Sequence, residues 1–302
     1  MRKILFVTSG SIGDVVLSTG VLSHLADRHA DASFTIAGGP AAAPLFEAFP
    51  RLERFIALHK QRGHRHLVAL WQTVRREKWD VVVDLRGSLL SIFLRAKKRY
   101  VFWRADKTKS KADQLASLLN LDNTPSAHLW TSAATRERAD ALLPQGREII
   151  CLAPKSNSPK KDWPIERFAE LAQRMSRDGR TFAVLATKAQ QESIRPLTES
   201  LPGDCIIDLS GQTDLMTAYA VIERSSLFVG NDSGLLHMAA ASGVRSVGIY
   251  GPTNDKVYAP SGPHVKIVKA REFAMGESEK RAPEYMRMIP VDKVAEACIM
   301  GP

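Results

Sequence analysis

The chain has 302 residues, 44% of them hydrophobic and 25% charged, which excludes a disordered chain and indicates a soluble globular protein with room for two domains. No apolar run approaches the roughly 20 residues that span a bilayer, and the apolar start at residues 4–7 is too short for a signal peptide. The net charge is +10, and the three cysteines are odd in number and far apart, which predicts a reduced, cytoplasmic setting.

The first half of the chain alternates predicted strands and helices. Apolar runs predict strands at residues 3–8, 33–37 and 79–85, with one more in the region 95–105. A helix is predicted from Asp14 to about Arg28. A turn-rich break, Leu142-Leu143-Pro144-Gln145-Gly146, then separates two domains, at residues 1–145 and 146–302.

The second half repeats the alternation. Strands are predicted from Glu148 and at 182–186, 205–209, 226–229 and 246–250. Helices are predicted at 165–178, 190–200, 214–224 and after residue 234, with a terminal helix from about 291. Alternating strands and helices indicate parallel sheets covered on both faces. We therefore predict two doubly wound α/β domains that face each other across a cleft.

The loop after the first strand carries the first candidate residues. In Thr8-Ser9-Gly10-Ser11-Ile12-Gly13-Asp14 the glycines are three apart, so the loop is not a dinucleotide fingerprint. It is not a phosphate-binding Walker loop either, because no Gly-Lys-Ser/Thr follows. Asp14 stands where the helix begins and has two open interpretations. It either caps the helix or acts as a general base on an attacking hydroxyl.

Two loops of the second domain suit a diphosphate. Gly230-Asn231-Asp232-Ser233-Gly234-Leu235-Leu236-His237 joins a strand to a helix whose N-terminus presents free N–H groups. Lys155-Ser156-Asn157-Ser158-Pro159-Lys160-Lys161 follows another strand and supplies cations and hydroxyls. Asp232 either caps the helix or binds a sugar hydroxyl, and His237 either packs or donates to a ligand oxygen. No cluster of residues has metal-ligand spacing, so we predict no bound metal.

The positive charge is unevenly distributed. Residues 1–147 contain 23 Lys and Arg against 13 Asp and Glu, whereas residues 148–302 contain 19 of each. Arg62 and Arg65 lie in the basic run 59–66, a second basic run covers 95–99, and Arg86 follows a predicted strand. The basic residues of this N-terminal half either form an ordinary solvated surface or face an anionic partner. The aromatic residues at 100, 102 and 103 alternate as in a strand, which predicts core positions.

Taken in order, these motifs resemble glycosyltransferase family 9, the lipopolysaccharide heptosyltransferases. The resemblance covers nearly the whole chain. It includes the loop 10–14, the strand 79–87, Lys161-Asp162-Trp163-Pro164, the stretch 230–241, Gly251-Pro252-Thr253 and the C-terminal Met286-Arg287-Met288-Ile289-Pro290. The run 276–283 departs from the family, which commonly has a cysteine-containing stretch there.

The resemblance implies a GT-B fold and inverting, metal-independent transfer from a nucleotide sugar, ADP-heptose in this family, to a hydroxyl of an anionic lipid-linked glycan. Asp14 would be the general base and Lys161 would neutralise the leaving diphosphate. The first domain would bind the acceptor and the second the donor. Acceptor contacts are predicted at Gly13, Arg62, Arg65 and Arg86. Donor contacts are predicted at Ser156, Asn157, Gln191 (or Glu192), Asp232, Ser233, Gly234 and His237.

No cofactor beyond the donor is implied. The basic domain would touch the cytoplasmic face of the inner membrane without inserting, and no nucleic acid is expected. Two alternatives stay open at this point. One is a related transferase that uses another nucleotide sugar for capsule or protein glycosylation. The other is a non-catalytic α/β protein that binds anions or nucleic acid.

Overall fold

Two compact units form the chain, residues 1–130 and 131–302. The computed structural model describes residues 2–177, 179–251, 253–260, 262–270 and 282–299. Residues 276–281 of the departing run 276–283 therefore lie outside the described residues. No helix in the described ranges is long and apolar enough to cross a membrane.

The first unit is a five-stranded parallel sheet with helices between the strands. Its elements are β1 (Arg2–Val7), α1 (Ile12–Arg28), β2 (Ala32–Gly38), β3 (Leu52–Ala57), α2 (Arg65–Val74), β4 (Lys78–Asp84), β5 (Arg95–Val101) and α3 (Lys111–Leu118). The strand order is β3-β2-β1-β4-β5. The interior strands β1 and β4 are apolar because both of their faces are buried, and Leu5 and Val82 are fully buried neighbours in the sheet.

The edge strand β5 differs from the interior strands. Arg95, Lys97, Lys98 and Arg99 all lie on it and are exposed. Long cations on an edge strand discourage pairing with another chain, which gives this basic run a structural role. The strand ends at Val101, and Trp103 beyond it is 55% exposed. The prediction that the aromatic residues here are core positions is therefore wrong for Trp103.

The second unit contains six parallel strands and eight α-helices within its described residues. They are α4 (Ala133–Leu142), β6 (Glu148–Ala153), α5 (Ile165–Met175), β7 (Arg180–Val184), α6 (Gln191–Thr198), β8 (Ile206–Asp208), α7 (Leu215–Glu223), β9 (Leu227–Asn231), α8 (Gly234–Ser242), β10 (Ser246–Tyr250), α9 (Asp255–Tyr258), β11 (Val265–Lys269), α10 (Ala282–Met288) and α11 (Val291–Ile299). The strand order is β11-β10-β9-β6-β7-β8. Apolar residues cover both faces of this sheet, as a doubly wound sheet requires.

Helix α4 explains where the second unit begins. The sequence break at 142–146 predicts a boundary at residue 145, but α4 precedes that break and packs against α7 of the second unit. Arg138 on α4 reaches Asp214, the N-cap of α7, over 3.3 Å, and Arg224 reaches Asp140 over 2.6 Å. These contacts place α4 with the second unit, which starts at Thr131.

In each unit the strand order reverses direction at one point. The reversal lies between β1 and β4 in the first unit and between β6 and β9 in the second. In open parallel sheets the loops at the carboxyl ends of such a strand pair diverge, and the gap between them is where ligands bind. The loops after β1, β4, β6 and β9 are the ones that carry most of the predicted site residues.

Candidate active site

An ion pair joins the two loops at the reversal point of the second unit. The Lys161 ammonium donates to Asp232 Oδ2 over 2.6 Å. The Thr253 hydroxyl donates to the same oxygen over 2.5 Å. The Asp232 side chain is 8% exposed and that of Lys161 is 32% exposed, so the ammonium faces solvent while the carboxylate is largely enclosed. The Asp232 side chain therefore binds these two groups and does not cap α8.

Asn231 fixes the position of the loop that carries Lys161. Its side chain is fully buried; Oδ1 accepts the Trp163 N–H over 3.1 Å and Nδ2 donates to the Pro154 carbonyl over 2.7 Å. Both ends of the loop after β6 are thereby held to the end of β9. Sequence reasoning gave Asn231 no role. An amide side chain at the end of a buried strand nevertheless indicates hydrogen bonds to the backbone of a neighbouring loop, because buried polar groups are paired.

The N-terminus of α8 lies beside the ion pair. Ser233 is the N-cap residue and Gly234 the first helical residue, so the first N–H groups of α8 lack partners within the helix. Ser233 Oγ is buried and has no hydrogen-bond partner in the part of the chain that the structure describes. His237 is buried in the same first turn, at 6% exposure. The N–H groups and the hydroxyl are donors suited to phosphate oxygens.

Tyr250, at the end of β10, adds a buried hydroxyl near the carboxylate. Burial, together with the nearby Asp232 charge, raises the pKa of Tyr250 well above its ordinary value. The phenol therefore stays neutral beside the Lys161–Asp232 pair.

Two other predicted donor residues, Ser156 and Gln191, have structural partners. Ser156 donates from both its backbone N–H and its hydroxyl to Asp162 Oδ1, at 2.9 and 2.8 Å, which closes the loop on itself. Asn157 is exposed on that loop. Gln191 donates to Asp208 Oδ2 over 3.2 Å, whereas Glu192 pairs with Arg195 along α6. Of the alternatives at 191 and 192, only Gln191 bonds outside its own helix among the described residues.

The C-terminal motif at residues 286–290 contacts the loop that carries Lys161. The Ile289 carbonyl accepts the indole N–H of Trp163 over 3.0 Å and a guanidinium N–H of Arg167. A Cβ added to Gly251 would lie 2.4 Å from Met286 Sδ, so the glycine lets α10 approach the end of β10. Residues 161–164, Gly251, Thr253 and residues 286–290 therefore belong to one packed region.

In the first unit, Asp14 lines a cavity of about 220 Å³ at the reversal point between β1 and β4. The cavity is lined by Thr8, Ser9, Gly10, Asp14, Leu85, Arg86, Lys111 and Leu115. Asp14 is the third residue of α1, and Ser11 is the N-cap residue. The only hydrogen bond to the carboxylate within the described chain comes from the Ser9 hydroxyl, over 3.3 Å. Asp14 is therefore not the N-cap, and its carboxylate faces the cavity.

Lys111 belongs to this cavity, and sequence reasoning missed it. It begins α3, and its ammonium lies 4.0 Å from the centre of the Phe102 ring. Partial burial lowers the pKa of Lys111, while the Asp14 charge opposes that shift. Little in the sequence indicated that Lys111 belongs to the site, because Lys111 is distant along the chain from the loops that follow the strands.

Arg86 is the one predicted acceptor arginine that lines the cavity in the described chain. Its guanidinium lies 3.3 Å from His66 Nε2 on α2. Burial, with the Arg86 charge, lowers the pKa of His66, so the imidazole is held neutral. Gly13 is buried inside α1 next to Asp14. Arg65 begins α2 and Arg62 lies in the 3-10 turn before it; both are exposed and neither lines the cavity.

Another cavity lies at the opposite edge of the second sheet. It measures about 420 Å³ and is lined near the beginnings of β6, β7 and β9, by Glu148, Arg180 and Ser226 among others. Ligands of open parallel sheets bind at the carboxyl ends of the strands, so the loops that carry Lys161 and Asp232 are the better candidate site. No group of three or more potential metal ligands occurs among the described residues.

Comparison with known proteins identifies the family of the chain. The family described as glycosyltransferase family 9 (heptosyltransferase) matches residues 109–286. Lipooligosaccharide heptosyltransferase 2 of Haemophilus influenzae is 24% identical over 309 residues, 89% of either chain. The structure of a glycosyl transferase family 9 protein from Veillonella parvula matches with a TM-score of 0.83 and 24% identity, covering 98% of this chain and 96% of that one.

The structure of E. coli ADP-heptose lps heptosyltransferase II matches with a TM-score of 0.77 and 20% identity, over 98% of this chain and 97% of that one. The α/β fold is thus that of the GT-B heptosyltransferases, as predicted. Because the family match covers more than half of the sequence, the chain is a glycosyltransferase and belongs to glycosyltransferase family 9, the heptosyltransferases.

Proposed function

We propose that the protein transfers a heptose from ADP-heptose to a hydroxyl of a lipopolysaccharide-core acceptor, with inversion at the anomeric carbon and without a bound metal. The observation that carries the proposal is the Lys161–Asp232 pair beside the N-terminus of α8. The donor and acceptor classes come from the relatives, one of which is named an ADP-heptose lps heptosyltransferase.

The second unit would hold the donor. A diphosphate next to Asp232 would be repelled by that carboxylate unless a cation compensates it, and Lys161 supplies this compensation at 2.6 Å. The N–H groups of α8 and the Ser233 hydroxyl would then bind phosphate oxygens. As ADP leaves, its terminal phosphate gains negative charge, which these fixed donors and Lys161 would stabilise in place of a metal ion.

The first unit would hold the acceptor. Asp14 would accept the proton of the acceptor hydroxyl as that oxygen attacks the anomeric carbon. The bond between this carbon and the diphosphate oxygen breaks in the same step, and its electron pair departs with ADP. A single displacement of this kind inverts the anomeric configuration. Arg86 and Lys111 line the Asp14 cavity and would attract the anionic groups of the acceptor. Arg62 and Arg65 would bind more distant parts of it.

The acceptor is proposed to be lipid-linked, so the enzyme would work at the cytoplasmic face of the inner membrane as a peripheral protein. No nucleic-acid partner is proposed. Residues 1–130 contain 20 Lys and Arg against 11 Asp and Glu, a charge that suits an anionic glycan on an anionic bilayer.

The first test is thermal unfolding of the full chain with ADP, UDP or GDP at equal concentrations. A nucleotide at about 100 times its dissociation constant stabilises the fold by roughly 2.7 kcal/mol, which raises the midpoint by several degrees. We expect a shift with ADP that is larger than with UDP or GDP. A shift confined to UDP or GDP would contradict the ADP-sugar donor while keeping the transferase.

The second test is transfer itself, with ADP-heptose and a heptose-deficient lipopolysaccharide core, followed by product analysis. We expect one heptose to be added with inverted configuration, and at the same rate after treatment with EDTA. Retention of configuration, or loss of activity with EDTA that Mg²⁺ restores, would overturn the corresponding part of the mechanism.

A further inference from the structure

Exposed apolar side chains are concentrated in one part of the first unit. Among the described residues, eight large apolar side chains are more than 40% exposed. Five of them lie between residues 68 and 103: Val68, Leu89, Ile92, Phe93 and Trp103. We call these five the apolar patch. Single exposed apolar residues are ordinary, but a local group of them marks an interaction surface.

The fold brings members of the patch together. Leu89, Ile92 and Phe93 belong to the short 3-10 helix Leu89–Phe93, which contacts α2, the helix that carries Val68. Gly87 lies just before this turn. A Cβ added to Gly87 would lie 2.6 Å from the Phe102 carbonyl oxygen, so the backbone before Trp103 lies next to the turn. The patch is thus built from three neighbouring segments of one unit.

The turn is held in place by hydrogen bonds. The Ser91 hydroxyl donates to the Ser88 carbonyl over 2.8 Å, and the Ser88 N–H donates to Asp84 over 2.9 Å. Arg99 on β5 donates to the carbonyls of Ser91 and Leu94. Ser91 and Leu94 point inward and are buried, whereas Ile92 and Phe93 are 47% and 69% exposed. Exposure of the patch is therefore a fixed property of the fold.

The same segment carries the positive charge of the molecule. Residues 59–111 contain 15 Lys and Arg and only 4 Asp and Glu, a net charge of +11 within a chain whose total is +10. Arg65 begins the helix that presents Val68, Arg62 lies in the 3-10 turn before it, and Arg104 follows Trp103. The apolar patch is thus surrounded in sequence by cations.

We propose that the apolar patch and its basic surroundings dock on an anionic lipid bilayer surface. Aliphatic and aromatic side chains enter the boundary between headgroups and acyl chains, and tryptophan favours that depth. Lysine and arginine near the surface add attraction to anionic lipids. Nucleic acid fits this surface less well because its bases stack on aromatic rings, and three of these five side chains are aliphatic.

The inference rests on the proposed function and deepens it. Arg86 lines the Asp14 cavity and precedes Leu89 by three residues. A unit docked through the 3-10 turn would hold the Asp14 cavity close to the lipid surface. A lipid-linked acceptor presents its hydroxyl there, so docking would raise the acceptor concentration at the general base.

The test is flotation of the full chain with vesicles of phosphatidylcholine alone or of equal parts phosphatidylcholine and phosphatidylglycerol. We expect binding to the mixed vesicles only, weakened by salt. The double variant Ile92→Ser/Phe93→Ser should lower the partition coefficient by about tenfold or more, since each apolar side chain loses its burial in lipid. The matched control is Ile299→Ser, which removes a side chain that is 76% exposed on the second unit and should bind as the unaltered chain does.

Absence of binding by the unaltered chain would overturn the inference, as would equal binding by the double variant. Size-exclusion chromatography of the unaltered chain and the double variant tests whether the patch binds a second copy of the chain instead. If the unaltered chain is a dimer and the double variant is not, the patch is a dimer interface. Stabilisation by ADP, measured on the same proteins without lipid, reports on the donor site alone. A double variant that keeps the ADP shift but loses vesicle binding supports the docking surface, and an unaltered chain without any ADP shift contradicts the proposed function instead.

Discussion

Lys161 and Asp232 lie 71 residues apart in the chain, yet the ammonium of one is 2.6 Å from a carboxylate oxygen of the other. The pair exists because β6 and β9 are neighbours in the sheet, which brings the loops after them together. Charge balance at this point determines whether an anionic ligand can approach, so the pair links the topology of the second unit to its proposed chemistry.

Replacing Lys161 should weaken ADP binding and catalysis together. A hydrogen bond to a charged group contributes about 1.5–3 kcal/mol, so Lys161→Ala should raise the ADP dissociation constant by about tenfold or more, measured by calorimetry. Lys160→Ala, on the same 3-10 turn, is the matched control. If Lys161→Ala and Lys160→Ala raised the ADP dissociation constant equally, ADP binding would depend only on the positive charge of the turn and not on a specific contact with Lys161.

The double variant Lys161→Met/Asp232→Asn separates stability from binding. Lys161→Met alone leaves the enclosed Asp232 carboxylate without its cation and should lower the unfolding midpoint, because an unpaired buried charge is costly. Adding Asp232→Asn removes that charge and should restore the midpoint without restoring ADP affinity. Recovery of ADP affinity in the double variant would contradict a direct contact between Lys161 and the diphosphate.

Replacing Asp14 should affect chemistry and leave the donor site intact. Asp14→Asn keeps the shape of the side chain but cannot accept the proton, so kcat should fall by about 10²-fold or more, with an unchanged thermal shift by ADP. Asp27→Asn, an exposed residue near the end of the same helix α1, should retain normal turnover. A near-normal kcat for Asp14→Asn would leave Asp14 with a favourable interaction at the helix N-terminus as its only role.

Asn231 should contribute to both stability and ligand affinity. Asn231→Ala leaves the Trp163 N–H and the Pro154 carbonyl without their partners, and each buried unpaired group costs about 1–3 kcal/mol. The unfolding midpoint should fall by several degrees, at about 2–4 °C per kcal/mol. ADP affinity should also fall because the Lys161 loop loosens. Asn123→Ala, at an exposed loop position of the first unit, should change neither quantity.

The stability of the second unit should depend on Glu148 at acid pH. Arg177, followed by Arg180, lowers the pKa of Glu148 from 4.5 to about 2. The unfolded chain therefore takes up this proton at higher pH than the folded chain does. The stabilisation by Glu148 is complete above about pH 4.5 and disappears as the pH falls towards 2.

Thermal unfolding of Glu148→Gln across this pH range checks the linkage. The midpoint difference from the unaltered protein should be present at pH 7 and should shrink between about pH 4.5 and 2. Glu192→Gln is the control, since that side chain is 79% exposed and pairs with Arg195 on its own helix. This control should leave the dependence of the midpoint on pH unchanged. A midpoint difference for Glu148→Gln that stays constant down to pH 2 would contradict the linkage.

Much of the fold followed from local pattern. The strands at 246–250 and from Glu148, and the helices after Asp14 and Gly234, were predicted within a few residues because buried parallel strands are apolar runs and loops interrupt them. The strands β3 and β11 and the helices α2, α3, α4, α9 and α10 were missed. Each of these elements has ten residues or fewer, and the structure of so short a segment depends on packing against the rest of its unit.

The sequence by itself determined the α/β class, the family resemblance and the two loops that carry Lys161 and Asp232, because strand-end loops are recognisable from the apolar runs before them. Only the tertiary structure decided which strands are neighbours. It paired Lys161 with Asp232, brought Lys111 to Asp14, and left Ile92 and Phe93 exposed on a turn fixed by Arg99. Contacts between residues distant in the chain depend on strand order and packing, which no local pattern encodes.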